Sequence, residues 1–446
     1  MIGKERALEI LQKVIAMSDG DETDAMLSTK QSSLTRFANS TIHQNVSQTA
    51  SDINIRIVKG KRIGVASTDR INDEESLKKL VKKASTIADF QEENPNYLGM
   101  PDPSPVKEID SFCQATAAYS PSQRAEAVRT LVKVCDKDSI IASGSFKTES
   151  NEIAIANSKG IAAYHPTTSA EITTVVMKGE QCGYAAASSN HVSDINIQAI
   201  AEEATDLCRR NVNQIEVEPG KYDVVLHPYA VADLISITCA LEFGALAMQE
   251  GRSFMSEKMG QKVFSDSLTV WDDGLDVSGM PMPFDFEGYP KQKVVLIENG
   301  VAKNVVYDTA TARKAGKPLT GHALPPGSTW GPIPINVFMK PGSETLDSLT
   351  SKIKKGLYVT RFHYINPFLD IKRAVFTGMT RDGTFLIEDG KMTKAVKNLR
   401  FTMSMIDAFS HLDGLTQQSM FVGGWFGVRV PGALIRGFNF SGKTQF

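Results

Sequence analysis

The chain has 446 residues, with 49 Lys and Arg against 51 Asp and Glu, seven His and five Cys. A formal charge of −2 offers no global field for nucleic acid or an anionic membrane. Five thiols, odd in number and widely spaced, exclude a disulfide scaffold, and the CxxC and HExxH zinc signatures are absent. Apolar residues make up 41% and charged residues 22%, as in an ordinary globular protein. At roughly 150 residues per domain the length implies two or three domains. The start, with Lys4, Glu5 and Arg6, is no secretion signal, and the apolar stretch Ile235 to Met248 is broken by Glu242 and too short to span a bilayer. A soluble, cytoplasmic protein is expected, with neither membrane nor nucleic acid as partner.

In chain order, the first half predicts two α-β-β-β-α units. Ala7, Ile10, Leu11 and Val14 have helical spacing. Thr49 to Val58 alternates, with Ile53, Ile55 and Ile57 on one face, and Lys59-Gly60 marks a hairpin turn. Asp73 to Phe90 closes the unit as a helix with Asp73 as N-cap. A proline-rich stretch, Glu92 to Pro121, follows as a linker. The second unit repeats the order. Its helix carries Ala125, Val128, Leu131 and Val132, and its strand runs from Ala170 to Met177. Its turn is Lys178-Gly179, and its closing helix spans Asp194 to Arg209, capped by Ser193 or Asp194.

The two units are read as an internal duplication. Phe37-Ala38-Asn39-Ser40 matches Ile155-Ala156-Asn157-Ser158 at an offset of 118, and Arg6-Ala7 matches Arg124-Ala125 at the same offset. Gly64-Val65-Ala66 faces Gly183-Tyr184-Ala185 at 119, and Leu80 to Ala84 faces Ile200 to Ala204 at 120. The expected organisation is a first unit over 1–95, a linker over 96–121, a second unit over 122–215 and a β-rich α+β domain over 216–446.

In that last domain, Tyr222 to Leu226 reads as a buried strand and Pro228 to Glu250 as one long helix. Met255 to Pro290 is loop-rich. Strands are expected at Lys293 to Ile297, Val301 to Val306 and Ile335 to Met339, and a helix at Ser343 to Lys355. Arg373 to Ile387 reads as a hairpin around Arg381-Asp382-Gly383, and Met420 to Phe440 as a Gly-interrupted strand. The fold class is therefore α+β.

Gly437 to Thr444 matches GxxxxGK[ST], but only two residues follow, so no helix can present its N-terminus to a phosphate. Phe438 and Phe440 alternate instead, as in a terminal strand. Lys78, Lys79, Lys82 and Lys83 form a basic run that reads as solvated surface, since the second unit has Glu202 and Glu203 opposite Lys82 and Lys83. His227 stands between a strand and a helix. Asp272, Asp273, Asp276, Asp285 and Glu287 crowd one Gly/Pro-rich loop; their spacing matches no cation loop, so a solvated lid is expected.

Met259-Gly260-Gln261-Lys262-Val263, Thr269 to Gly274, Pro283 to Gly288 and Ile387-Glu388-Asp389-Gly390, in this order after Phe37 to Ser40, resemble the TldD/TldE (PmbA) family over almost the whole chain. The resemblance implies a cytoplasmic peptidase complex acting on unfolded peptides. Its TldD-type subunit carries HExxxH and a later Cys around zinc, and its TldE-type subunit lacks them. The family has also been named for modulation of DNA gyrase. Counting back from Met259, the HExxxH positions fall on Ser236, Ile237 and Leu241, and no Cys follows Cys239. The resemblance thus implies a TldE-type subunit without metal of its own, with zinc expected only in a TldD-type partner. Alone, it is expected to form a homodimer. Two alternatives remain: a hydrolase in its own right using His227, Glu242 or His322, or a non-proteolytic modulator of gyrase.

Overall fold

The computed structural model describes residues 1–424 and 426–444. In the first unit, α1 (Lys4–Ala16) buries Ala7, Ile10, Leu11 and Val14. Strands β1 (Glu22–Ala38), β2 (Thr41–Lys59) and β3 (Arg62–Thr68) follow, then α2 (Glu74–Phe90), whose first turn is capped by Asp73. The linker contains one helical turn, α3 (Gln114–Ala117). The second unit holds α4 (Pro121–Asp136), β4 (Ile141–Asn157), β5 (Ala162–Lys178), β6 (Gln181–Ser189) and α5 (Ile197–Arg210).

The two units share one antiparallel sheet in the order β3-β2-β1-β4-β5-β6. That order is a palindrome of the repeat. At the β1–β4 seam, Gln31 faces Ser150 and Ser32 faces Glu149; at the offset of 118 the counterparts of Gln31 and Ser32 are Glu149 and Ser150, so an internal two-fold axis passes between these pairs. Both hairpin turns follow the Lys-Gly pairs.

Three details of these units differ from expectation. The strands are longer, because the polar residues of β2 before Ile53 carry no apolar alternation to betray them. α4 buries Arg124, Ala127 and Val134 with Val128 and Leu131, leaving Ala125 and Val132 half-buried at the margin. The cap of α5 is Asn196, which accepts from Ala199 N; Asp194 instead accepts from the Ser189 hydroxyl and lies in a 3-10 turn with Ser193.

The repeat also explains two glycines. A Cβ on Gly64 would sit 1.9 Å from the Ala84 carbonyl oxygen, and one on Gly183 would sit 2.0 Å from that of Ala204. These are the same contact in the two copies: the sheet must approach the closing helix this closely. Gly64→Ala and Gly183→Ala are each expected to lower stability by about 3 kcal/mol, because backbone overlap cannot relax by a rotamer change. A urea midpoint unchanged by either variant would refute this packing.

The second sheet is built from β7 (Gly220–Leu226), β8 (Val270–Asp272), β9 (Val294–Glu298), β10 (Val301–Ala302), β11 (Asn336–Met339) and β12 (Lys355–Asp370). It is completed by β13 (Val375–Glu388), β14 (Lys391–Ala395), β15 (Leu399–Ser404), β16 (Leu412–Val422) and β17 (Gly427–Lys443). The chain is therefore α+β, with its largest apolar core between this sheet and the helix after β7.

Four expectations fail here. The long helix stops as α6 (Pro228–Glu242) and resumes as α7 (Ala245–Gln249). Between them Phe243 O and Ala245 N bond Val306 N and Val306 O as a strand would, and a Cβ on Gly244 would strike the Pro332 carbonyl. The strand from Val301 ends at Ala302; Lys303 N still bonds Leu296 O at 2.8 Å, but Asn304 N reaches the same carbonyl at 3.5 Å and the register is lost. The helix near Ser343 is only Leu346–Ser351, since Lys355 already opens β12. Arg381-Asp382-Gly383 is no turn: β13 runs through it, with Asp382 at φ 53° and Gly383 at φ 127°, and Arg361 Nε bonds Asp382 at 2.7 Å. The GxxxxGK[ST] stretch lies in β17 up to Lys443, with Thr444 just past its end, and Lys443 pairs with Glu218 at 2.8 Å. Gln445 and Phe446 lie outside the described residues.

Candidate functional site

Strand β7 lies between β12, parallel, and β17, antiparallel, so Val224, Val225 and Leu226 are wholly buried. It delivers the chain to α6. His227 caps that helix, its Nδ1 accepting from Tyr229 N at 3.4 Å, and Pro228 supplies the first helical residue. Ser236 is half-buried, its hydroxyl 3.5 Å from Asp233 O. Ile237 packs against the main core, and Leu241 is buried.

One hydroxyl and two alkyl groups do not fit zinc, which takes imidazole, thiolate or carboxylate donors. Of the other possible donors on α6, Cys239 is fully enclosed and burial pushes its thiol far up, Asp233 accepts from Phe362 N at 3.0 Å, and Glu242 stands at the far end of the helix. Among the described residues no three His, Cys, Asp or Glu converge in a way that could hold a metal ion.

Nor do His227, Glu242 and His322 meet. His227 and Glu242 stand at opposite ends of α6, roughly 20 Å apart at the helical rise. Glu242 accepts from Phe254 N at 3.0 Å through Oε2, while Oε1 lacks a hydrogen-bond partner. Burial raises this carboxyl from 4.5 to about 7. The folded protein then keeps a proton that the unfolded chain has already released. Stability from this group therefore falls as pH rises from about 4.5 to about 7. Glu242→Gln is expected to stabilise the protein at pH 8 by on the order of 2 kcal/mol and to flatten that slope. Denaturant unfolding across the pH range checks both.

His322 is held against the acidic loop by Asp272, and that loop is a buried clamp and not a solvated lid. Asp272 and Asp285 are both buried. Asp272 Oδ2 accepts from Ile335 N and Asn336 N, each at 2.8 Å, and Oδ1 lies 2.8 Å from His322 Nε2. His322 Nδ1 is held 2.9 Å from Thr320 Oγ1. Lys291 Nζ stands 4.0 Å from Asp272 Oδ1, almost wholly buried and without a hydrogen-bond partner. Burial raises Asp272, but the charges of Lys291 and His322 outweigh it and bring the carboxyl down to about 2.

Asp285 accepts from Glu287 N, Tyr289 N and Ala323 N at 2.8 to 3.0 Å, and burial pushes it up to about 7. Asp276 accepts from the Ser278 amide and hydroxyl, and Asp273 pairs with Lys293 at 3.3 Å. With these oxygens taken by N–H and O–H donors, the loop does not form a cation cradle. Glu287 reaches Arg56 of β2 at 3.3 Å, and Arg56 holds the buried Asp24 through Nε at 3.0 Å and Nη2 at 2.7 Å. The loop thus ties the second sheet to the duplicated one. Lys291, Arg56 and Asp24 carry no sequence signal, because their separations along the chain match no motif.

Three adjoining family models match the chain. They are the PmbA/TldA metallopeptidase domain 1 over residues 23–88, the central domain over 115–212 and the C-terminal domain over 219–442. The sequence is 28% identical to an uncharacterised protein of Methanocaldococcus jannaschii over 61% of this chain and 63% of that protein. It is 24% identical to a metalloprotease TldD homologue of Buchnera aphidicola over 81% of this chain and 78% of that one. The fold is shared with TldE from Thermococcus kodakarensis at a TM-score of 0.87 and 19% identity, over 98% of this chain and all of that one. It is also shared with a proposed DNA gyrase modulator from Thermotoga maritima, at 0.86 and 17% identity, over 97% and 99% of the two chains. No described helix is long and apolar enough to cross a membrane.

Proposed function

Because the chain belongs to the PmbA/TldA metallopeptidase family, we propose that it is a metal-free, TldE-type subunit of a two-chain zinc peptidase. The observation that supports this reading is the make-up of α6, where Ser236, Ile237 and Leu241 stand at the positions that a count back from Met259 assigns to HExxxH. The helix, its cap and the strand before it are intact, so what is lost is ligand chemistry and not the scaffold. In this reading zinc would be held by a TldD-type chain, where it would supply Lewis-acid chemistry for peptide hydrolysis. This chain's part is to pair with it by near-two-fold symmetry and wall a cytoplasmic cavity for unfolded peptide. Without that partner it forms a homodimer. The separation of His227, Glu242 and His322 speaks against a hydrolase built on this chain alone.

Mixing the chain with a TldD-type chain, followed by size-exclusion chromatography with metal analysis, tests the reading. The expected result is one complex with one zinc per pair and none on this chain by itself. Stoichiometric zinc on this chain alone, or no complex, would sink it.

A further inference from the structure

The two copies of the repeat are not covered alike. In the second unit the outer part of β5, before Ala170, is sealed by the chain's own linker. Thr168 N bonds Ser111 O at 3.1 Å, Cys113 N bonds Thr168 Oγ1 at 2.9 Å, and Ser111 Oγ lies 2.8 Å from His165 Nε2. Val106 packs with Ala163 and Phe284 beside it. The matching part of β2 has no such cover. β3 pairs only with Ile53 to Lys59, so among the described residues no strand bonds the outer side of Thr41 to Asp52. Every residue from Thr41 to Ala50 is exposed.

Natural edge strands are normally guarded against pairing by charge, proline or bulges. Thr41 to Ser51 reads Thr-Ile-His-Gln-Asn-Val-Ser-Gln-Thr-Ala-Ser, with no Lys, Arg, Asp, Glu or Pro. It is held in unbroken register with β1 from Val58 back to Gln44; beyond that His43 is an extra residue, and Ile42 pairs with Phe37. Hydroxyl and amide contacts, Ser33 to Ser47 and Thr35 to Asn45, fix it further. The edge is thus preformed, uncharged and bare, and its twin shows that an extended polypeptide is what covers this element.

We propose that this edge pairs antiparallel with the same edge of a second copy of the chain, with the two-fold axis at Val46, making one continuous sheet of the two duplicated halves. The sequence is self-complementary about that residue. On one face Val46 meets Val46 and Gln44 meets Gln48. On the other, Asn45 meets Ser47. Moving the register by one or two residues either way sets Val46 against Asn45, Ser47, Gln44 or Gln48. A closed two-fold contact consumes both edges and leaves none to propagate.

The inference rests on the homodimer named above and specifies its seam. Val46 is 42% exposed, so charge there spares the fold, which circular dichroism verifies. Light scattering of the full chain at micromolar concentration should give twice 48.6 kDa. Val46→Lys and Val46→Glu should each be monomeric, since each sets like charges opposite one another. An equimolar mixture of the two should dimerise again. A monomeric wild type would overturn both the homodimer and its seam. A dimer indifferent to either charge, or a mixture that stays monomeric, would overturn the seam alone.

Discussion

Asp272→Ala is expected to destabilise the fold by about 3–5 kcal/mol, the cost of removing one partner from a buried charge network. The carboxylate is wholly enclosed and serves four groups: two backbone amides, His322 and Lys291. Its loss removes the carboxylate that faces the buried Lys291 at 4.0 Å, a group with no hydrogen-bond partner, and leaves Ile335 N and Asn336 N unmet where β11 joins β8. Asp272→Asn, which keeps the shape and one acceptor, should cost less. Because the folded carboxyl is held near 2 against an ordinary 3.8, its contribution is present above about pH 4 and fades as pH falls toward 2. Urea unfolding at pH 7 measures the loss; a change under about 1 kcal/mol would show that the network is not coupled as its geometry implies.

The parts of the molecule written in local pattern were legible in the sequence. Ile53, Ile55 and Ile57 announced a strand, Asp73 a cap, and the Lys-Gly pairs two turns, since each depends on neighbours within a few residues. The duplication also foretold Gly64 and Gly183, although the reason, a helix carbonyl against the sheet, is visible only in three dimensions. What failed was set by distant partners. The break at Gly244 depends on Val306 and Pro332, which no helical periodicity can reveal. Asp382-Gly383 has the composition of a turn, yet Arg361 across the ladder holds it as a kink within β13. The acidic loop read as solvated because its countercharges, Lys291, His322 and Arg56, are remote or unpatterned. Ser236, Ile237 and Leu241 carry no signal of their own; only a family pattern sets them against HExxxH, since nothing in an apolar helix marks a ligand position.

The central claim is that this chain supplies shape and not metal to a peptidase. Zinc contributes several kcal/mol to the barrier it lowers, so a chain that cannot bind it should lag by at least about 1,000-fold. The most direct measurement is cleavage of an unfolded polypeptide by the chain alone, by a TldD-type chain alone and by the two mixed. The expected result is no cleavage by this chain alone and full activity only in the mixture. A chelator should abolish that activity, whereas Ser236→Ala in this subunit should leave it unchanged. Chelator-resistant cleavage by the isolated chain would contradict the account.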